Sequence, residues 1–226
     1  YETRMVPYTE DCVLVIQRDV SEKKRADAKV RRLAFYDTLT GLPNRQSFLI
    51  QVSEAIRRAK ESGTRLSILY FDLDNFKRIN DSLGHTTGDA LLRGIANRLE
   101  QCVRRDDSVA RFGKSNSNMQ VARLGGDEFT VLLRDLHSAD EAESIAERIL
   151  NVLREPMQFE GQQFVITPSV GIATYPDDGD DIDTLVKNAD MAMYSAKAQG
   201  RNCISMFSGT MSVRSLEKLD LEDSLR

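Results

Sequence analysis

The apolar residues of this chain repeat in two ways, in short near-continuous runs and at spacings of three to four. The plainest run is Leu66-Ser67-Ile68-Leu69-Tyr70-Phe71, closed by the acidic stretch Asp72-Leu73-Asp74. Such a run predicts a central strand buried on both faces. Val121 to Leu124 and Phe129 to Leu133 flank Gly125-Gly126-Asp127-Glu128, which predicts a hairpin, since glycines permit the positive φ of a tight turn. Shorter runs predict a terminal strand ending in Cys12 to Val20, a hairpin over Phe159 to Ile166 and a strand over Ser169 to Ala173. Between them lie helical faces. Phe48, Val52, Ala55, Ile56 and Ala59 form one, opened by Asn44 after the breakers Gly41 and Pro43 and closed by Gly63. Ala90, Leu91, Ile95, Leu99 and Val103 form a second, and Ala139 to Leu153 a third. Leu185, Ala189, Met193 and Ala196 form a fourth, within a helix predicted from Ile182 to Gln199. Strands alternating with helices, with hairpins mixed in, predict an α/β sandwich on a central mixed sheet.

The ends read differently. Ser21 is placed to cap a charged helix in which Ala26, Val30 and Leu33 fall at heptad-like spacing. Two readings stand, a solvated linker helix and a short parallel coiled coil. Lys114-Ser115-Asn116-Ser117-Asn118, polar and turn-rich, reads as a flexible insertion in the hairpin arm over residues 112–120.

Composition narrows the class. A net charge of -4 argues against a non-specific nucleic-acid binder. No apolar run approaches the roughly 20 residues of a membrane span, so no membrane contact is expected of this segment. Three scattered cysteines and two isolated histidines make neither a disulfide framework nor a zinc pattern, which points to a reducing, cytoplasmic setting. Gly113-Lys114-Ser115 lacks the earlier glycine and leading strand of a phosphate-binding loop, and the acidic loop Pro176 to Asp183 lacks the spacing of a calcium loop.

The candidate chemistry is acidic. Charge is costly in an interior unless paired or metal-bound, and Asp72 ends a buried strand. Asp72 or Asp74 alone could simply cap the next helix. Beside Asp127 and Glu128, a metal site accounts better for them, because Mg²⁺ takes one or two carboxylates plus phosphate oxygens and water. The residues thus point to metal-assisted nucleotidyl transfer or cyclisation. The Gly84–Gly88 loop is a further ligand candidate. Lys197 and Arg201, four apart, suit either a helix C-terminal dipole or a phosphate clamp, and spacing alone favours the dipole.

Gly125-Gly126-Asp127-Glu128-Phe129 resembles the signature of the GGDEF family of bacterial diguanylate cyclases. The resemblance extends through Asp37-Thr38-Leu39-Thr40-Gly41-Leu42-Pro43-Asn44-Arg45, Phe71-Asp72-Leu73-Asp74-Asn75-Phe76-Lys77, Gly88-Asp89 and Tyr194-Ser195-Ala196-Lys197-Ala198-Gln199-Gly200-Arg201-Asn202. It implies a central mixed, largely antiparallel sheet flanked by helices, similar to the adenylyl cyclase and polymerase palm folds. It also implies condensation of two GTP into cyclic di-GMP with release of two pyrophosphates, at a homodimer interface. By the same resemblance, Asp72, the Leu73 carbonyl, Asp127 and Glu128 would hold Mg²⁺ or Mn²⁺, and Asp127 or Glu128 would deprotonate the 3′-hydroxyl. Asn80 and Asp89 would bind guanine. Asn75, Phe76, Lys77, Lys197 and Arg201 would hold the triphosphate.

The flanks carry weaker resemblances. Arg18 to Lys24 is similar to the exit of a PAS-type sensor, and Met211, Arg214, Leu216-Glu217 and Leu225-Arg226 to the entry of an EAL-type phosphodiesterase. The expected division is therefore a sensor strand at 1–20, a signalling helix at 21–36, the catalytic domain at 37–207 and a linker into a following domain at 208–226. The family's Arg-x-x-Asp product-binding site would fall on Asn116-Ser117-Asn118-Met119, which cannot serve; Arg104 and Asp107 have the pattern but lie upstream. Loss of strong product inhibition is the expectation. An alternative keeps the fold without the chemistry, as a silent GTP-binding module that regulates an attached EAL phosphodiesterase.

Overall fold

A computed structural model describes residues 2–9, 12–109, 118–159 and 161–211. Its centre is a five-stranded sheet built on β3 (Arg65–Leu73), the predicted two-sided strand. β3 is flanked by β5 (Glu128–Leu136) and β8 (Pro168–Tyr175), both antiparallel to it. β4 (Met119–Gly125) pairs antiparallel outside β5, and β9 (Ile204–Met206) pairs parallel outside β8. The sheet is thus mixed and largely antiparallel, as expected.

The alternation of β3 sorts the core into two layers. Leu69, Phe71 and Leu73 join the face covered by α4 (His85–Val109) and α5 (Ala139–Arg154). Leu66, Ile68 and Tyr70 join the face covered by α2 (Arg45–Ser62) and α6 (Ile182–Ala198). Asp72 is next in the second series, so the strand's own period aims it under α6. Gly171 on β8 lets α6 come close: a Cβ there would lie 2.0 Å from the Ala189 carbonyl oxygen and 2.1 Å from the Met193 amide nitrogen.

Several boundaries differ from the sequence expectation. The N-terminal strand has a partner, since β1 (Glu2–Thr9) and β2 (Cys12–Arg18) form a separate antiparallel pair. In α1 (Ser21–Phe35), Ser21 is the first helical residue rather than the cap, and its N–H donates to the Asp19 carboxylate at 2.8 Å. Asn44 does cap α2, accepting from the Ser47 amide at 3.0 Å. The segment after Asn75 is helical, as α3 (Phe76–Leu83), and the expected Gly84–Gly88 loop is reduced to a break at Gly84 because α4 begins at His85. Gly88 is inside α4, where its bare Cα leaves room for Asn80: a Cβ would lie 1.9 Å from the Asn80 Oδ1. α4 runs through Val109, and the expected insertion at 112–120 falls mostly within residues 110–117, which lie outside the described residues, as does the tail 212–226. The later hairpin is β6 (Met157–Phe159) with β7 (Gln162–Phe164). Among the described residues, no helix is long and apolar enough to cross a membrane.

Candidate active site

The Gly125-Gly126 turn is a bulged hairpin. β4 and β5 run in register to Arg123–Phe129, then shift so that Gly125 faces Glu128. Gly125 and Gly126 have φ of 148° and 51°, values that exclude most side chains. Arg123 braces the turn. Its Nε and Nη2 donate to the Gly126 carbonyl at 3.1 and 2.6 Å, and its Nη1 to Asp37 Oδ1 at 2.8 Å. Asp37 also accepts from the Thr40 amide at 2.8 Å and the Thr40 hydroxyl at 2.6 Å. The Arg123 amide donates to the Pro43 carbonyl at 2.9 Å. The Asp37 to Asn44 loop is therefore a mount for the hairpin, a role its sequence did not disclose.

Across the sheet, Asp72 is the direct cross-strand neighbour of Glu128, and the Leu73 amide donates to the Asp127 carbonyl at 3.4 Å. Like charges facing each other on adjacent strands destabilise a sheet, so this end of β3 needs a cation. Lys197 of α6 supplies one, with its Nζ 2.7 Å from Asp72 Oδ1. Burial pushes the Asp72 carboxyl above its ordinary range. Lys197 pulls it back, and the charges of Asp127 and Glu128 push it up further. Tyr70, one step along the same face, is held neutral by burial and by the neighbouring charges of Glu128 and Asp190.

These residues open on a cleft of about 260 Å³ lined by Asp72, Leu73, Asp74, Asn75, Phe76, Lys77, Arg78, Asp127, Lys197 and Arg201. The structure brings together all but three of the predicted catalytic, metal and substrate residues. Glu128 is placed beside Asp72 by register without lining the cleft, and Asn80 and Asp89 lie on the adjoining α3 and α4. Arg78, which the sequence reading missed, joins the lining; its place directly after Lys77 in the quoted motif was the available signal. Asp74 lines the cleft but is spoken for by neighbouring donors, so it neither caps α3 nor faces a metal freely; Asn75, at φ 58°, is the residue before that helix. Arg104 and Asp107 fall in the last turns of α4, where the side chains lie outside the described residues.

Among the described residues, no three acidic, histidine or cysteine side chains form a metal cage by themselves. The donor set still fits Mg²⁺: two carboxylates and a strand-end carbonyl leave coordination positions for phosphate and water, which this ion prefers.

A family model described as "Diguanylate cyclase, GGDEF domain" matches residues 34–117 and 115–203. The chain belongs to the GGDEF family. It is 39% identical over 207 residues to the cyclic di-GMP phosphodiesterase NbdA of Pseudomonas aeruginosa, covering 92% of this chain and 25% of that protein. It is 42% identical over 176 residues to the diguanylate cyclase TpbB of the same species, covering 77% of this chain and 38% of that one. The GGDEF chain thus spans about a quarter of the former relative's length and less than half of the latter's. Among solved structures, the isolated GGDEF domain of TpbB matches with a TM-score of 0.72 and 38% identity, over 80% of this chain and 99% of that one. The coiled coil and GGDEF domain of DgcB from Caulobacter crescentus, solved with c-di-GMP, matches with a TM-score of 0.69 and 27% identity, over 83% and 93%.

Proposed function

We propose that this GGDEF segment is a working diguanylate cyclase, joining two GTP molecules into cyclic di-GMP. The observation that carries this reading is the meeting of Asp72 and Asp127 with Lys77, Arg78, Lys197 and Arg201 on one cleft. A cleft lined by both acids and cations suits a nucleoside triphosphate, whose α-phosphate must lie near the acids while its outer phosphates are neutralised.

In the proposed reaction the 3′-oxygen of one GTP attacks the α-phosphorus of a second. A new phosphodiester bond forms, the bond to the α,β-bridging oxygen breaks, and pyrophosphate leaves. The 3′-hydroxyl proton passes to Asp127 or Glu128, the acids of the turn that Arg123 holds in place. Lys77, Lys197 and Arg201 hold the triphosphate, with amides near Asn75 and Phe76 at the start of α3. Asn80 and Asp89 read the guanine edge, and a wrong base would leave buried polar groups unpaired. Asp72, the Leu73 carbonyl, Asp127 and Glu128 are the groups that would hold Mg²⁺ or Mn²⁺. That ion supplies positive charge to the phosphate and leaving oxygens. One cleft accommodates one GTP, so ring closure takes two copies face to face, and in this proposal α1 pairs them. Sensor and EAL-like segments beside this one belong to the same proposal.

Incubation with GTP and Mg²⁺ at several protein concentrations tests it. Cyclic di-GMP formation that rises more steeply than protein concentration is expected. Asp127→Ala and Asp72→Ala should each abolish product with the fold retained. The kinship with NbdA, named a phosphodiesterase, favours a second reading, a silent GTP-binding regulator. GTP binding without product, at concentrations where the protein is dimeric, would establish that one instead.

A further inference from the structure

Asp74 is 6% exposed, and its carboxylate gathers three segments. Its Oδ2 accepts from the Thr167 hydroxyl at 2.7 Å and from the Asn202 backbone N–H at 3.0 Å. Its Oδ1 accepts from the Ser169 hydroxyl at 2.6 Å, and its own N–H donates to the Thr167 carbonyl at 2.8 Å. A carboxylate facing three donors is committed as an acceptor. It has little left to offer a metal, although only Leu73 separates it from Asp72.

What Asp74 secures is the backbone after α6. Gly200, Arg201 and Asn202 have φ of 117°, 66° and 49°. Two successive non-glycine residues in the left-handed region are sterically disfavoured and persist only where the surroundings impose them. The impositions are visible. Asp74 holds the Asn202 amide, while Arg154 of α5 holds the rest of that residue, with Nε 2.7 Å from Asn202 Oδ1 and Nη2 2.7 Å from the Asn202 carbonyl oxygen. The Arg201 amide donates to the Ala196 carbonyl at 3.1 Å. Arg201 is thereby clamped on both sides, and it is one of the residues that line the cleft.

We infer that Asp74 and Arg154 are positioning residues for Arg201: by fixing Asn202 they force the left-handed backbone that sends the Arg201 guanidinium into the phosphate end of the cleft. Arg154 does so from outside the cleft, since it is not among the lining residues. This inference rests on the nucleotide reading of the cleft, but it concerns the two outer phosphates only.

The test is calorimetric binding of GTP and of GMP to the wild type and to Asp74→Asn, Arg154→Ala, Arg201→Ala and Ser169→Ala, with melting curves for each. Arg201→Ala, Asp74→Asn and Arg154→Ala should each weaken GTP about tenfold and leave GMP within twofold. Combining Arg154→Ala with Arg201→Ala should add nothing further. Ser169→Ala removes a bond to Asp74 without touching Asn202, so it should lower the melting temperature and spare the preference for GTP. Arg154→Ala leaves the buried carboxylate in place and decides the matter should Asp74→Asn fail to fold. GTP affinity unchanged in Arg154→Ala, or GTP and GMP weakened equally, overturns the positioning role. A wild type that binds neither nucleotide overturns the reading of the cleft itself and this inference with it.

Discussion

Arg123 offers the sharpest test of how the Gly125-Gly126 turn is held. It is 8% exposed and spends its guanidinium on two partners, Asp37 and the Gly126 carbonyl. In Arg123→Ala, the Asp37 carboxylate keeps only Thr40 as a donor, and its Arg123 charge partner is gone. Removing one member of a buried ion pair costs about 3–5 kcal/mol. The low end applies here, because Asp37 is only half-buried and Gly126 is exposed, so water can reach both orphaned groups. About 3 kcal/mol in a domain of this size corresponds to a fall of roughly 6–12 °C in melting temperature. Arg123→Lys keeps the charge but cannot serve two acceptors with one planar fork, so it should recover about half of the loss. Thermal melts followed by circular dichroism give the shifts, and a double-mutant cycle with Asp37→Asn should return a coupling of at least about 1 kcal/mol. A fall below about 2 °C for Arg123→Ala, or a coupling near zero, would show that the turn stands without its brace.

Three further outcomes are expected. Gly171→Ala places a methyl against the α6 backbone, and overpacking against atoms that cannot swing aside should cost about 3 kcal/mol, seen as a lower urea midpoint. At Asp37, burial raises the carboxyl, but the Thr40 and Arg123 hydrogen bonds outweigh it and leave it below the usual range. The folded chain therefore releases this proton more readily than the unfolded one. The resulting stability is fully present above about pH 4 and is lost as pH falls through the lowered folded value. Asp37→Asn should flatten the acid limb of a melting-temperature profile in that window. Asp72→Asn should keep the fold and abolish any rise in melting temperature on adding Mg²⁺, whereas a rise equal to that of the wild type would remove Asp72 from the metal site.

The sheet was largely legible because β3 is apolar on both faces, and a continuous run of that length has few other uses. Asp72 stood out for the same reason, as a charge where the run should have gone on. The Gly125-Gly126 turn was legible because positive φ is written directly into residue type. By contrast, α3 was obscured by its own polar surface: only Phe76, Ile79 and Leu83 speak for a helix, among Asn, Asp and Ser that equally suit a turn. β9 is three residues long, too short to carry a period. The braces lay beyond reach for another reason. Arg123 and Asp37 are 86 positions apart, and Asp74 and Asn202 are 128 apart. Each residue alone reads as a surface charge or a turn former, and only the folded register makes them partners.

The missing side chain at Gly171 reaches further than a packing detail. With β8 and α6 in backbone contact, the helix cannot roll or slide on the sheet without collision. Lys197, near the end of that helix, and Asp72, on the strand beside β8, are consequently parts of one rigid body. Any shift of α6 would therefore have to carry the sheet with it, cation and carboxylate together.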